Sequence, residues 1–92
     1  RLFEEFSDAF IITPGGLGTL DEIFEIITLK KLHIHNKPIV IFNMNHFYDS
    51  MLEMIDFMIK ENTIPEDNRN LFKVCYTIEE TLDYIESHDE SE

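Results

Sequence analysis

Residues 9–22 decide the fold: they read Ala-Phe-Ile-Ile-Thr-Pro-Gly-Gly-Leu-Gly-Thr-Leu-Asp-Glu. The stretch opens with a short, continuous apolar run, which is typical of a strand buried on both faces of a parallel sheet. All three glycines of the chain follow at once, at positions 15, 16 and 18. We call residues 14–18 the glycine turn. From Thr19 a helical pattern runs to about Lys31, with Asp21 and Glu22 predicted in its first turn.

The same alternation of helix and strand continues on both sides of this stretch. Leu2, Phe3 and Phe6 have helical spacing, so residues 1–8 are predicted as the end of an amphipathic helix. Further along, the patterns predict strands at 39–43 and 71–76, a helix from Asp49 or Ser50 to Glu61, and a helix that follows a Thr77–Glu80 capping box and runs through Ile85.

The order α-β-α-β-α-β-α predicts an α/β fold: a Rossmann-like parallel sheet with flanking helices, three strands and about four helices. A complete doubly wound sheet usually has five or six strands. We therefore expect residues 1–86 to form the C-terminal half of a doubly wound, nucleotide-phosphate-binding domain. Residues 87–92 hold only polar and charged side chains, and we expect a frayed acidic tail there.

Composition narrows the class of function. The 92 residues allow a single domain, and 7 basic against 19 acidic side chains give a net charge of −12. Nucleic acid and anionic membrane surfaces are poor partners for such a chain, since both require a cationic footprint. No stretch approaches the ~20 apolar residues of a membrane span. A single cysteine, Cys75, indicates a reducing compartment, and we expect a cytoplasmic protein.

The glycine turn is typical of an anion site. A helix N-terminus has N–H groups without partners and a dipole that favours negative charge, so the amides of Gly16, Gly18 and Thr19 are predicted to hold a phosphate. The turn lacks the lysine of a P-loop, and the third glycine of a dinucleotide fingerprint falls on Asp21. The alternative is a turn that merely links strand to helix.

Glu22 is the candidate acidic group of this site. A carboxylate beside a bound phosphate suits ribose hydroxyls or the positive charge that builds at an anomeric carbon during glycosidic cleavage. The alternative is a glutamate that only complements the helix dipole, and that interpretation is kept for Asp21.

The run from Pro14 to Glu22 matches the Pro-Gly-Gly-x-Gly-Thr-x-x-Glu signature, and the chain resembles the Lonely Guy family of cytokinin riboside 5′-monophosphate phosphoribohydrolases, often mislabelled lysine decarboxylases. The likeness covers nearly the whole chain. The flanking stretches that share it are Ser7-Asp8-Ala9-Phe10-Ile11, Ile26-Ile27-Thr28, His35-Asn36-Lys37-Pro38, Phe47-Tyr48 and Arg69-Asn70.

The resemblance implies a Rossmann-like, usually homodimeric enzyme that hydrolyses the N-glycosidic bond of adenine-type nucleoside 5′-monophosphates, such as AMP or a cytokinin riboside monophosphate. It implies phosphate binding by Gly15, Gly16, Gly18 and Thr19, catalysis by Glu22, and no metal or redox cofactor. It also implies an N-terminal half and a catalytic arginine just ahead of Arg1, and Arg1-Leu2 does not reproduce the family's Arg-Lys pair.

Two other functions stay open: a non-catalytic module that binds a nucleotide or the molybdenum cofactor, and a truncated fragment without activity. Lysine decarboxylation has no support, because no lysine environment for pyridoxal phosphate is apparent. His33 and His35 are predicted as solvated loop residues rather than metal ligands. Arg69 is predicted to cap, to pair across a dimer or to contact substrate.

Overall fold

The computed structural model describes the backbone of residues 3–6 and 9–91 and the side chains of residues 9–88. In chain order the elements are β1 (Phe3–Phe6), β2 (Ala9–Ile12), α1 (Leu17–Lys31), β3 (Ile39–Phe42), α2 (Asp49–Lys60), β4 (Lys73–Cys75) and α3 (Ile78–Ser91). Short 3-10 helices at Met44–His46 and Glu66–Leu71 precede α2 and β4. The predicted α/β arrangement is confirmed.

The four described strands form one sheet in the order β1-β2-β3-β4. β2, β3 and β4 are parallel, with Ile11 opposite Val40 and Ile41 opposite Val74. Successive parallel neighbours need crossover connections, which α1 and α2 supply. The carboxyl ends of the three strands therefore meet at one edge of the sheet.

The predicted helix over residues 1–8 is wrong where the structure describes it. Phe3–Phe6 is a strand that pairs antiparallel with β2, in the register Phe3 to Ile12 and Phe6 to Ala9. An open sheet edge leaves a row of unpaired N–H and C=O groups, and pairing with them outweighs the weak helical pattern of a short segment. Residues 1, 2, 7 and 8 lie outside the described residues, as do the predictions for them.

The core lies between the sheet and the two crossover helices. Alternate residues of β3 point to one face, where Ile39 and Ile41 pack with Ile23 of α1 and Ile55 of α2. On the other face Val40 and Cys75 are fully buried, and Thr81 of α3 is buried beside Cys75. Helices therefore cover both faces, as a parallel sheet requires.

The helix ends follow local rules. In the capping box, the Glu80 N–H donates to Thr77 Oγ1 and the Thr77 N–H donates to Glu80 Oε1, each at 3.1 Å, which confirms that prediction. Two residues after the last residue of α1 and of α2 the chain has a left-handed residue, His33 and Asn62, with φ of 63° and 64°. Their N–H groups and those of the next residues bond back to the last helical turn, as in a Schellman motif.

The last helix is longer than predicted. α3 continues to Ser91 through most of the segment expected to be a frayed tail, and Glu92 lies outside the described residues. Near its end the His88 ring hydrogen-bonds to the Asn36 carbonyl at 2.8 Å. In the part of the chain that the structure describes, no helix has both the length and the apolar character needed to cross a membrane.

Candidate functional site

The candidate site lies at the carboxyl edge of the parallel strands. Three connections meet there: the glycine turn after β2, residues 43–48 after β3, and residues 76–77 after β4. In open α/β sheets this is the edge at which ligands bind, because the helix N-termini and the adaptable loops are both found there.

The glycine turn leads directly into α1, which begins at Leu17, two residues earlier than predicted. Gly16 is the N-cap residue and has an extended backbone, with φ of −102°. Its carbonyl accepts the N–H groups of Thr19 at 3.1 Å and Leu20 at 3.3 Å. The Thr19 amide is therefore used inside the helix, and the amides of Leu17 and Gly18 are the first-turn donors with no preceding carbonyl in reach.

Neither Gly16 nor Gly18 is required by the fold of the described residues. Neither has a positive φ, so another residue type could adopt the same backbone. A Cβ built on either glycine meets no heavy atom within 4 Å. The space above both α-carbons is open, and the absence of side chains lets an outside group approach the backbone closely.

Thr19 lies on the buried side of the same turn. Its side chain is fully buried, and its hydroxyl is the one buried side-chain polar atom without a hydrogen-bond partner among residues 9–88. An unsatisfied buried hydroxyl costs about 1–3 kcal/mol. Thr19 belongs to the buried stripe of α1 with Ile23 and Ile26, and its hydroxyl is left for a partner that the described residues do not supply.

Glu22 lies in the second turn of α1, and the prediction of a first-turn position is wrong because the helix begins earlier. It is exposed, and so is Gly18 four residues before it. Residues at this spacing lie on one side of a helix, about 6 Å apart along its axis. The Glu22 carboxylate therefore projects from the same face as the open turn. Asp21, also exposed, precedes it and is rotated by about 100° from that line, the angle between neighbouring residues of a helix.

A hydrogen-bond network that the sequence did not reveal joins the glycine turn to the loop after β3. The buried Tyr48 hydroxyl donates to the Thr13 carbonyl at 2.6 Å. The Tyr48 N–H donates to Asn43 Oδ1, and Asn43 Nδ2 donates to Asp49 Oδ1, each at 2.7 Å. In the sequence, Asn43 could have been noticed as a polar residue directly after a buried strand. No local sequence pattern indicates that Tyr48 contacts Thr13.

His46 completes this network on its exposed side. Its Nδ1 lies 3.2 Å from Asp49 Oδ2, and its ring centroid lies 5.6 Å from that of Tyr76 after β4. His46 and Asn45 both have positive φ, 57° and 54°. The left-handed backbone is tolerated by asparagine and less common for histidine.

The other residues weighed from the sequence have structural contacts. His33 is exposed as predicted, whereas His35 is partly buried: its Nε2 hydrogen-bonds to the Ile26 carbonyl at 2.9 Å and its Nδ1 accepts the Lys37 N–H at 3.1 Å. Both ring nitrogens of His35 are thereby engaged. Among the described residues, no three His, Cys, Asp or Glu side chains are grouped as a metal site would require.

Arg69 lies far from the glycine turn in the topology. It belongs to the 3-10 helix that leads into the amino end of β4, and its Nε donates to Asp56 Oδ1 at 3.0 Å. Its guanidinium also lies 5.0 Å from the centre of the Phe72 ring. With Asp56 it lines an open, mixed-charge cavity of about 580 Å³. Arg69 therefore pairs within the chain, on the amino side of the sheet.

Burial raises the pKa of the Cys75 thiol above its ordinary value of 9.0, and desolvation is the main cause. The same cause raises the pKa of Tyr48 above 10.0. Both groups therefore stay protonated at neutral pH. The free Cys75 is a buried core residue, and Tyr48 holds the proton that it donates to Thr13.

Comparison with known proteins places these features in one family. The family described as "Possible lysine decarboxylase" matches residues 1–85. A cytokinin riboside 5′-monophosphate phosphoribohydrolase LOG of Oryza sativa subsp. japonica is 42% identical over 83 residues, 90% of this chain and 34% of its own length. The cytokinin riboside 5′-monophosphate phosphoribohydrolase of Rhodococcoides fascians is 41% identical over 86 residues, 94% and 43% of the two lengths.

Arabidopsis thaliana has a similar protein, cytokinin riboside 5′-monophosphate phosphoribohydrolase LOG4, which is 39% identical over 82 residues. Those residues are 89% of this chain and 38% of the relative. The chain thus spans roughly a third to two fifths of the curated relatives that it matches.

The family description raises the question of pyridoxal phosphate, which needs a lysine beside its phosphate site to form a Schiff base. The five lysines of this chain all lie on the amino side of the sheet: Lys30 and Lys31 end α1, Lys37 precedes β3, Lys60 ends α2 and Lys73 begins β4. The residues of this chain at the glycine turn therefore do not fit that cofactor.

Proposed function

We propose that this chain, which belongs to the family described as "Possible lysine decarboxylase", holds the 5′-phosphate of a nucleoside monophosphate at the N-terminus of α1 and carries a catalytic carboxylate, Glu22, for hydrolysis of the N-glycosidic bond. The products are a free base and ribose 5-phosphate. AMP and cytokinin riboside monophosphates are the proposed substrates, in line with the names of the relatives.

One observation carries this proposal: Gly18 and Glu22 lie one turn apart on the exposed face of α1, beneath open space. A phosphate above Gly16 and Gly18 accepts hydrogen bonds from first-turn amides and meets the positive end of the helix dipole. The chain carries a net charge of −12, which repels anions. A bound phosphate therefore needs local hydrogen-bond donors such as these amides to hold it.

The proposed role of Glu22 follows from its distance to that phosphate. One helical turn, about 5 Å, is the scale on which a ribose ring extends from its 5′-phosphate. A carboxylate there contacts ribose hydroxyls and stabilises positive charge as the bond to the base breaks. Within residues 9–88, no basic side chain forms an ion pair with Glu22, so its charge is available to the ribose.

The described residues do not make a complete catalytic site. None of the described residues at the carboxyl edge of the parallel strands is a lysine or an arginine. Backbone amides alone bind a phosphate, whereas cleavage of a glycosidic bond also requires positioning of the base and its leaving-group proton. This observation favours a second candidate function for the isolated chain, a module that binds nucleotide without turnover.

A homodimer and a cytoplasmic location belong to the same proposal. Support for the dimer comes from α2, where Met54 and Phe57 are more than half exposed on one side of the helix and Phe47 continues that stripe. Sedimentation velocity tests the homodimer: a species of twice the chain mass is expected.

The free, buried Cys75 agrees with a reducing compartment, and cell fractionation tests the cytoplasmic location.

The deciding experiment incubates the 92-residue chain with AMP and measures adenine, ribose 5-phosphate and AMP binding. Glu22→Gln is the test variant, and Glu53→Gln, an exposed glutamate of α2, is the matched control. Adenine release that is lost only in Glu22→Gln supports the catalytic proposal. Saturable AMP binding without release assigns the binding role, and a chain that binds neither AMP nor ribose 5-phosphate contradicts the proposal.

A further inference from the structure

We infer that Tyr48 is a positioning residue for the glycine turn: its hydroxyl, anchored in the loop after β3, sets the place at which the chain leaves β2 for the phosphate site. The inference rests on the proposed function, because it assigns a purpose to a contact beside the phosphate-binding amides. Tyr48 lies 35 positions after Thr13, the residue whose carbonyl it contacts just before the turn.

Tyr48 makes its hydrogen bond at the point where the chain leaves β2 for the glycine turn. The Tyr48 hydroxyl donates to the Thr13 carbonyl at 2.6 Å, and that carbonyl belongs to the peptide unit that joins Thr13 to Pro14. A peptide unit is planar, so holding its oxygen also holds the orientation of the proline nitrogen. The proline ring fixes φ, and the residue before a proline is restricted as well. The anchored peptide therefore fixes the direction in which Gly15 and Gly16 begin.

The Tyr48 side chain is held rigidly by its surroundings. Tyr48 is only 2% exposed and packs in the main core with Ile12 and Ile41. Its ring meets Phe47 edge to face, with centroids 5.0 Å apart. Its N–H is held by Asn43 Oδ1 at 2.7 Å, and its carbonyl accepts the Leu52 N–H as the first bond of α2. Because the Tyr48 backbone is bonded to Asn43 at the end of β3 and to Leu52 of α2, its hydroxyl has a fixed position relative to both elements. The glycine turn is therefore held in a fixed position relative to β3 and α2.

The glycine turn needs a hydrogen bond of this kind to hold it in place. The glycine turn has few groups of its own that could hold it: Pro14 lacks an N–H, and the glycines have no side chains. The open space above Gly16 and Gly18 means that the turn is not held from that side by described residues. A phosphate bound by backbone amides needs those amides within a few tenths of an ångström of their places. The Tyr48 bond supplies that constraint from beneath.

The test compares Tyr48→Phe with Tyr84→Phe, which removes a hydroxyl from α3 on the other face of the sheet. Amide hydrogen exchange is measured without ligand, and ribose 5-phosphate affinity is measured by titration. In Tyr48→Phe we expect exchange of the Thr19 and Leu20 amides, which bond to the Gly16 carbonyl, to speed up about threefold to tenfold, the effect of one lost hydrogen bond, with the β3 amides unchanged. The affinity for ribose 5-phosphate falls by a similar factor, and Tyr84→Phe leaves both quantities unchanged.

The outcomes separate this inference from the proposed function. Unchanged exchange at Thr19 and Leu20 in Tyr48→Phe overturns the positioning role, whether or not the ligand binds. Exchange that rises equally in β3 shows a general loss of stability and also overturns it. A wild-type chain that does not bind ribose 5-phosphate refutes the proposed function, while the exchange result still decides the role of Tyr48. If Tyr48→Phe does not fold, the wild-type hydroxyl proton is observed directly by NMR: a slowly exchanging proton supports the anchor, and a rapidly exchanging one contradicts it.

Discussion

Asn43 donates a hydrogen bond of 2.7 Å to the Asp49 carboxylate, and this bond connects the end of β3 to the first turn of α2. The same side chain accepts the Tyr48 N–H through its other atom, so one buried amide organises the loop that reaches the glycine turn. An amide is suited to this place because it offers one donor and one acceptor on a single rigid group.

Asn43→Asp should therefore be much more costly than its small change in size suggests. The donor to Asp49 is lost, and a buried carboxylate at position 43 is brought against the half-exposed carboxylate of Asp49. We expect the free energy of unfolding to fall by about 2–4 kcal/mol at pH 7, measured by urea denaturation. Asn45→Asp is the control, since Asn45 is exposed in the same loop and aspartate also tolerates its left-handed backbone. Equal losses in the two variants would contradict the role of Asn43.

Gly18→Ala should separate binding from stability. Nothing lies within 4 Å of the added methyl group, and alanine favours a helix over glycine by up to about 1 kcal/mol, so thermal unfolding should stay unchanged or move upward. The same methyl group occupies the space proposed for the phosphate, and affinity for ribose 5-phosphate should fall at least tenfold. A binding curve that matches that of the wild type would show that the phosphate lies elsewhere.

Thr19→Val tests the unpartnered hydroxyl. Valine has the same shape and removes the buried oxygen, so the chain without ligand should gain about 1 kcal/mol in the free energy of unfolding. If the hydroxyl contributes to phosphate binding, affinity should fall in the same variant, while Thr19→Ser should retain it. A Thr19→Val chain that is less stable than the wild type would mean that the hydroxyl already has a partner.

Cys75 should make stability fall at alkaline pH. Its pKa is raised in the folded state, so the folded chain keeps a proton that the unfolded chain loses above its ordinary pKa of 9.0. The contribution is complete below pH 9 and is lost as pH rises through the folded pKa. Urea denaturation at pH 7.5 and pH 9.5 should show a smaller drop in Cys75→Ala than in the wild type. Equal drops would assign the alkaline loss to other groups.

Local sequence patterns predicted much of this fold. The buried strands at 39–43 and after residue 8 were identified because continuous apolar runs leave few alternatives, and the capping box at Thr77 and Glu80 because its spacing is specific. The strand at Phe3–Phe6 was missed, since its pairing with β2 depends on a sheet edge that no local pattern shows. His35 was misjudged for the same reason: its hydrogen bond reaches Ile26, on the preceding helix.

The candidate site was only partly visible in the sequence. The glycines and Glu22 stood out because they are adjacent in the chain, yet the first helical turn was placed two residues too late. The contact between Tyr48 and Thr13 was not foreseen, because it forms only when the ends of β2 and β3 are brought side by side. Thr19 was predicted to face the ligand, whereas its amide is used by Gly16 and its hydroxyl is buried.

A titration of the ¹⁵N-labelled chain with ribose 5-phosphate shows whether the N-terminus of α1 binds a phosphate. Ribose without phosphate is the control. With ribose 5-phosphate we expect saturable chemical-shift changes that are largest at the amides of Gly16, Leu17 and Gly18. With ribose we expect none. Shifts centred on Arg69 and the cavity beside Asp56, or no saturable shifts at all, would contradict phosphate binding at the N-terminus of α1.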